Sequence, residues 1–94
     1  MYLEGHPDAA KKCFQVILSY EHNSLALYNL ALVYLATGDE GQAEATYAQA
    51  IDEFGPQEAR RIGAVDDLLT LMRQGPHAAA ALRTLRQYWA DAVK

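Results

Sequence analysis

The chain has little of what several functional classes require. Cys13 is the one cysteine in 94 residues, so no internal disulfide can form. A reducing compartment, the cytoplasm, is the expected setting. Three prolines and six glycines are too few for a collagenous or linker-like chain. No apolar run approaches the roughly 18 residues that a membrane helix needs. The stretch from Met1 to Gly5 has neither the basic start nor the apolar run of a secretory signal. Between Cys13 and Ala59 there is no Lys or Arg, while Glu21, Asp39, Glu40, Glu44, Asp52, Glu53 and Glu58 all fall there. Such an acidic middle disfavours phosphate backbones. The later basic residues, Arg60, Arg61, Arg73, Arg83, Arg86 and Lys94, have no interleaved aromatics to stack bases. Neither nucleic acid nor a membrane is an expected partner.

What is present indicates a folded domain. Hydrophobic residues make up 51% of the chain and charged ones 21%, which excludes a disordered tail. Turn signals at Gly5-His6-Pro7, His22-Asn23-Ser24, Gly38-Asp39, Gly55-Pro56 and Gly75-Pro76 divide it into pieces of similar length. Each piece has helical periodicity, and none alternates as a strand would. The spacing predicts five helices, near 7–20, 24–37, 39–54, 57–74 and 76–93. Ser24 and Asp39 are expected as N-caps, and Pro7 and Pro76 suit first helical turns. Gly38, Gly55 and Gly75 are expected at left-handed positions after helix ends. Gly63, inside the fourth helix, is expected to permit close packing by a neighbour.

The second helix offers Leu27, Leu30, Ala31 and Tyr34 on one face; the third offers Ala43, Tyr47, Ala50 and Ile51. Ala31 and Ala43 let two antiparallel helices approach, and Tyr34 and Tyr47 fill the space beside them. Together with Gly38-Asp39 and Pro56, this pattern resembles the tetratricopeptide repeat. Leu27 stands where that family often has Trp, and Pro56 sits one place late. The flanks are weaker copies. Gly5, Ala10, Phe14 and Ile17 echo Gly38, Ala43, Tyr47 and Ala50 at an offset of 33. Val65, Leu68, Leu69, Met72, Ala81, Leu85 and Tyr88 echo the central unit at an offset of 38. A register with Gly75 equivalent to Gly38 is rejected, because it would bury Asp67 without a partner. The expected fold is all-α: stacked antiparallel helical hairpins in a right-handed solenoid. Residues 1–22 form a half repeat, 23–56 a full repeat and 57–94 a divergent one, in a single domain.

No catalytic, metal or cofactor site emerges. His6, His22 and His77 fall at predicted helix ends without a second ligand at helical spacing. His6 and Cys13 could share a face, but a surface His and a buried Cys is the better reading. Ser19 and Ser24 have no evident base, no phosphate loop appears, and Asp66 and Asp67 point about 100° apart on a helix.

The resemblance implies a non-enzymatic module that holds a peptide or partner helix in a concave groove. Projected onto this chain, the groove is lined by Leu25, Tyr28, Asn29, Leu32 and Leu35, then Gly63, Asp66, Asp67, Thr70 and Arg73. Tyr28 and Asn29 are expected to be exposed. One subgroup of the family clamps acidic C-terminal peptides with Lys, Arg and Asn. Only Asn29 matches that set, and Gly63 and Asp67 stand where bases are needed. A protein or peptide partner, basic or amphipathic rather than acidic, is therefore expected. The second expectation is self-association as a homo-oligomer through open ends, with Phe14 and Ile17 at one and Trp89 and Val93 at the other.

Overall fold

A helical hairpin lies at the centre of the computed structural model, which describes residues 7–75 and 77–93. Its arms are α2 (Ser24–Ala36) and α3 (Glu40–Phe54). Before it runs α1 (Pro7–Tyr20); after it come α4 (Pro56–Arg61), α5 (Ala64–Gln74) and α6 (Ala78–Tyr88). A 3-10 turn, Ala90–Val93, closes the described chain. Among the described residues no strand forms, and the architecture is an all-α helical repeat. The short links force α1 and α2, α2 and α3, and α5 and α6 to pack as antiparallel neighbours.

The turns account for the helix boundaries, and two of them differ from expectation. Asp39 caps α3, its Oδ1 accepting the Gln42 N–H at 3.3 Å. Asn23, not Ser24, caps α2: its Oδ1 accepts the Ala26 N–H at 2.9 Å. Ser24 is already helical, and its hydroxyl donates instead to Glu58 Oε2 across to α4. At the α2–α3 turn, Gly38 (φ +87°) is left-handed. Its N–H reaches the Leu35 carbonyl, and the Asp39 N–H reaches that of Tyr34. That pair of bonds satisfies the last carbonyls of α2.

Gly63 overturns the single helix expected over 57–74. It is left-handed (φ +86°, ψ 9°) and separates α4 from α5. A Cβ built there meets nothing within 4 Å, so close packing is not its role. The chain needs a bend there that L side chains disfavour. Gly75 also departs from expectation. It is extended (φ −84°), and a Cβ on it would lie 2.2 Å from Leu71 Cδ1 and 2.7 Å from Leu71 O. Close approach, not handedness, selects glycine at that turn. Pro76 lies outside the described residues, and the last predicted helix spans only Ala78–Tyr88.

The core is built around α2. Ala26 to Val33 and Leu35 are all buried. Its Leu27 and Ala31 join Ala43, Tyr47 and Ala50 of α3 in one cluster. The same cluster takes in Val65, Leu68 and Leu71 of α5, Ala81 and Leu85 of α6, and Trp89. A helix that is apolar all round belongs in the middle of a fold. Here α1, α3, α4 and α5 all contact α2.

Candidate functional site

The expected concave groove is closed where it runs along α2. Leu25 is 47% exposed, but Tyr28 (1%), Asn29 (4%), Leu32 and Leu35 are buried. Tyr28 and Asn29 were expected at the surface because each carries a polar tip. The Tyr28 tip is satisfied internally, its hydroxyl donating to the Gly55 carbonyl at 2.8 Å. The second half of the projected lining is different. Asp66, Thr70 and Arg73 are exposed on α5, Asp67 is half-buried, and Gly63 sits in the bend. Burial pushes the Asp67 carboxyl above its usual range, and the neighbouring Asp66 charge adds to that shift.

An aromatic cluster fills the space that a ligand would need. Trp89 is fully buried, with its ring centroid 6.3 Å from those of both Tyr28 and Tyr47; the two tyrosines are 6.4 Å apart. Trp89 Nε1 donates to the Pro56 carbonyl at 3.0 Å. Burial raises the Tyr28 phenol to about 12, with Glu58 contributing, and raises Tyr47 well above its ordinary value. Both phenols therefore stay neutral at physiological pH, and neither is poised as a base or nucleophile.

This packing also corrects the expected self-association surface. Trp89 faces its own chain, and Val93 is half-buried against the core. Trp89 follows α6 directly, so the chain folds the ring inward as α6 ends. An ion pair between Arg60 and Asp91 holds the closing turn against α4. At the other end, Phe14 and Ile17 are half-buried. Cys13, expected to be buried, is exposed, and His6 lies outside the described residues.

The open apolar surface lies on the outer side of α1. Ala9, Cys13, Val16 (55%) and Tyr20 (85%) are all exposed. Successive helical residues rotate by about 100°, so these four fall within an arc of about 60°. Ala10, Phe14 and Leu18 point about 130° away, the side on which α2 packs. On that inner side Lys11 Nζ lies 5.5 Å from the Tyr34 ring centroid, and Gln15 Nε2 donates to the Tyr34 hydroxyl at 3.3 Å. The second stripe was legible in the 4-3-4 spacing of Ala9, Cys13, Val16 and Tyr20. It was passed over because Phe14 and Ile17 matched the repeat pattern.

Where this stripe ends, an acidic cleft opens. It holds about 270 Å3 and is lined by Leu18, Ser19, Tyr20, Glu21, His22, Leu27, Gln49 and Glu53. His22 Nδ1 is 3.6 Å from Glu53 Oε2. Among the described residues no three His, Cys, Asp or Glu side chains come together as metal ligands would. No described helix is long and apolar enough to cross a membrane.

The hairpin has Ala31 and Ala43 at 1% exposure or less, with the Gly38 turn between α2 and α3. The family model of the tetratricopeptide repeat matches residues 25–55. That match supports a tetratricopeptide repeat over these residues. No curated protein and no solved structure matches the chain. Tetratricopeptide repeats generally mediate protein–protein interaction and are generally not enzymes. In this hairpin Tyr28, Leu32 and Leu35 of α2 join Trp89 and residues of α5 and α6 in the core cluster, while Leu25 stays exposed.

Proposed function

We propose that the chain is a non-enzymatic protein-interaction module that engages its partner through the outer face of α1 and the adjoining acidic cleft. In this reading residues 1–22 supply half a repeat, 23–56 a complete one and 57–94 a divergent one. The observation that carries it is the contrast between the two sides of the repeat. The side of α2 toward Trp89 is filled, whereas Val16 and Tyr20 stand exposed on α1. Isolated exposed apolar residues are ordinary, but four at helix-packing spacing form a docking stripe.

Charge argues for the class of partner. The cleft contributes Glu21 and Glu53, within a stretch from Cys13 to Ala59 that has no Lys or Arg. A basic, amphipathic segment laid along α1 would bury its apolar side on Val16 and Tyr20 and set a cation at the cleft. Leu25 adds apolar area at the start of α2, and Asp66, Thr70 and Arg73 form a separate polar patch on α5. The exposed thiol of Cys13 suits a reducing setting such as the cytoplasm.

Fluorescence anisotropy with two labelled helical peptides tests this reading. One peptide is basic and amphipathic; the other has the same apolar residues with acidic ones in place of basic. The module should bind the first, more weakly at high salt, and Val16→Glu should remove most of the affinity. Ala45→Glu, an exposed change on α3, should not. Equal affinity for both peptides, or indifference to Val16→Glu, would refute it.

A further inference from the structure

Trp89 occupies a socket that other residues build. Tyr28 and Tyr47 form two of its walls, each ring centroid 6.3 Å from that of Trp89. The Tyr28 ring is fixed independently, its hydroxyl donating to the Gly55 carbonyl at 2.8 Å. The Pro56 carbonyl accepts the indole N–H at 3.0 Å, a bond that no Phe or Leu side chain could make. Arg60, one turn further along α4, pairs with Asp91. The socket therefore reads two features: an indole, and a carboxylate two positions after it.

The occupant is attached differently from the rest of the core. Among the described residues, the largest fully buried side chains all lie on helices except Trp89. Trp89 is the C-cap of α6, already out of helical geometry at φ −137° and ψ 51°. After it Ala90 and Asp91 are exposed, and Ala92 and Val93 are only half-buried. The lock beyond the ring is an ion pair with both partners partly exposed, which is a weak contact. Rotation at the end of α6 would withdraw the ring without unwinding a helix.

We propose that this socket is a recognition site for a Trp-x-Asp segment of a partner protein, and that residues 89–93 are its resident occupant. They act as an intramolecular latch, which a partner carrying the same pattern displaces. The site uses no residue of α1, so it stands or falls apart from the reading of that helix.

Trp89 is the one tryptophan, so 5-fluorotryptophan labelling gives the full chain a single fluorine resonance at the latch. The probe is an unlabelled synthetic peptide of residues 87–93. A tethered occupant competes at an effective concentration of about 1 mM or more, so the peptide is titrated through the millimolar range. It should move the fluorine signal from its buried to its solvent-exposed position, with helix content unchanged by circular dichroism. Asp91→Ala in the chain unlocks the latch but leaves Arg60 for the peptide, so displacement should need about two- to fivefold less peptide. Arg60→Ala removes the lock and the peptide's contact together and should bring no such gain. Trp89→Phe in the peptide, which loses the donor to Pro56, should weaken displacement about tenfold. Val16→Glu should leave displacement unchanged. A signal that stays buried in Asp91→Ala at millimolar peptide, or that becomes exposed only as helix content falls, would overturn the latch. Equal displacement by the Trp89→Phe peptide would overturn the indole recognition.

Discussion

Tyr28 and Trp89 are bound to adjacent carbonyls: the Tyr28 hydroxyl donates to Gly55 and the Trp89 indole to Pro56, with the two rings 6.3 Å apart. Residues 61 positions apart thus close the same turn from two sides. The side of α2 expected to hold a ligand becomes core. Trp89→Ala should destabilise the fold by about 3–5 kcal/mol in urea titrations. Tyr28→Phe, which keeps the ring and loses the hydroxyl, should cost about 1 kcal/mol. Near-neutral effects of Trp89→Ala would show that the indole does not seal the hairpin.

Gly63→Ala separates two readings of the same residue by sign. In an unbroken helix, alanine would stabilise by about 1 kcal/mol relative to glycine. At φ +86°, it should instead destabilise by about 1–2 kcal/mol. No atom lies within 4 Å of the added Cβ, so thermal or urea unfolding reads the backbone conformation alone.

Two carboxylates should shift stability with pH in opposite directions. Hydrogen bonds from Arg61 and Ser24 lower Glu58 to about 2. A depressed carboxylate favours the folded state above its ordinary value and loses that contribution as pH falls. The loss should therefore run from about 4.5 down to about 2, and it should be absent in Glu58→Gln. Asp67 is raised by burial, so its ionisation disfavours the fold at neutral pH and the penalty disappears in acid. Asp67→Asn should thus gain stability relative to wild type at pH 7 and lose that advantage near pH 3. Urea midpoints across a pH series measure both.

These outcomes also mark how far local sequence could carry the reading. Asp39 and Gly38 were legible because caps and left-handed turns are determined by a few adjacent residues. The repeat pattern from Leu27 to Ala50 was legible for the same reason. Asn23 displaced Ser24 as the cap because the Ser24 hydroxyl found Glu58, 34 positions away. The burial of Tyr28, Leu32 and Leu35 had a local signal, since α2 is apolar on every side, but only long-range packing shows what covers it. Asp67 sits between the two readings: half-buried, neither a free groove carboxylate nor a full core residue. The outer stripe of α1 was visible in its spacing, whereas Phe14 and Ile17, which match the repeat pattern, are half-buried.

The central claim is that the repeat works from its α1 edge while its inner face is sealed. Amide chemical-shift mapping tests this most directly, with a basic amphipathic helical peptide titrated into the labelled protein. The account predicts shifts concentrated from Ala9 to His22 and at Glu53, with Leu32, Leu35, Thr70 and Arg73 unmoved. Shifts centred on those last four residues, with α1 silent, would contradict it.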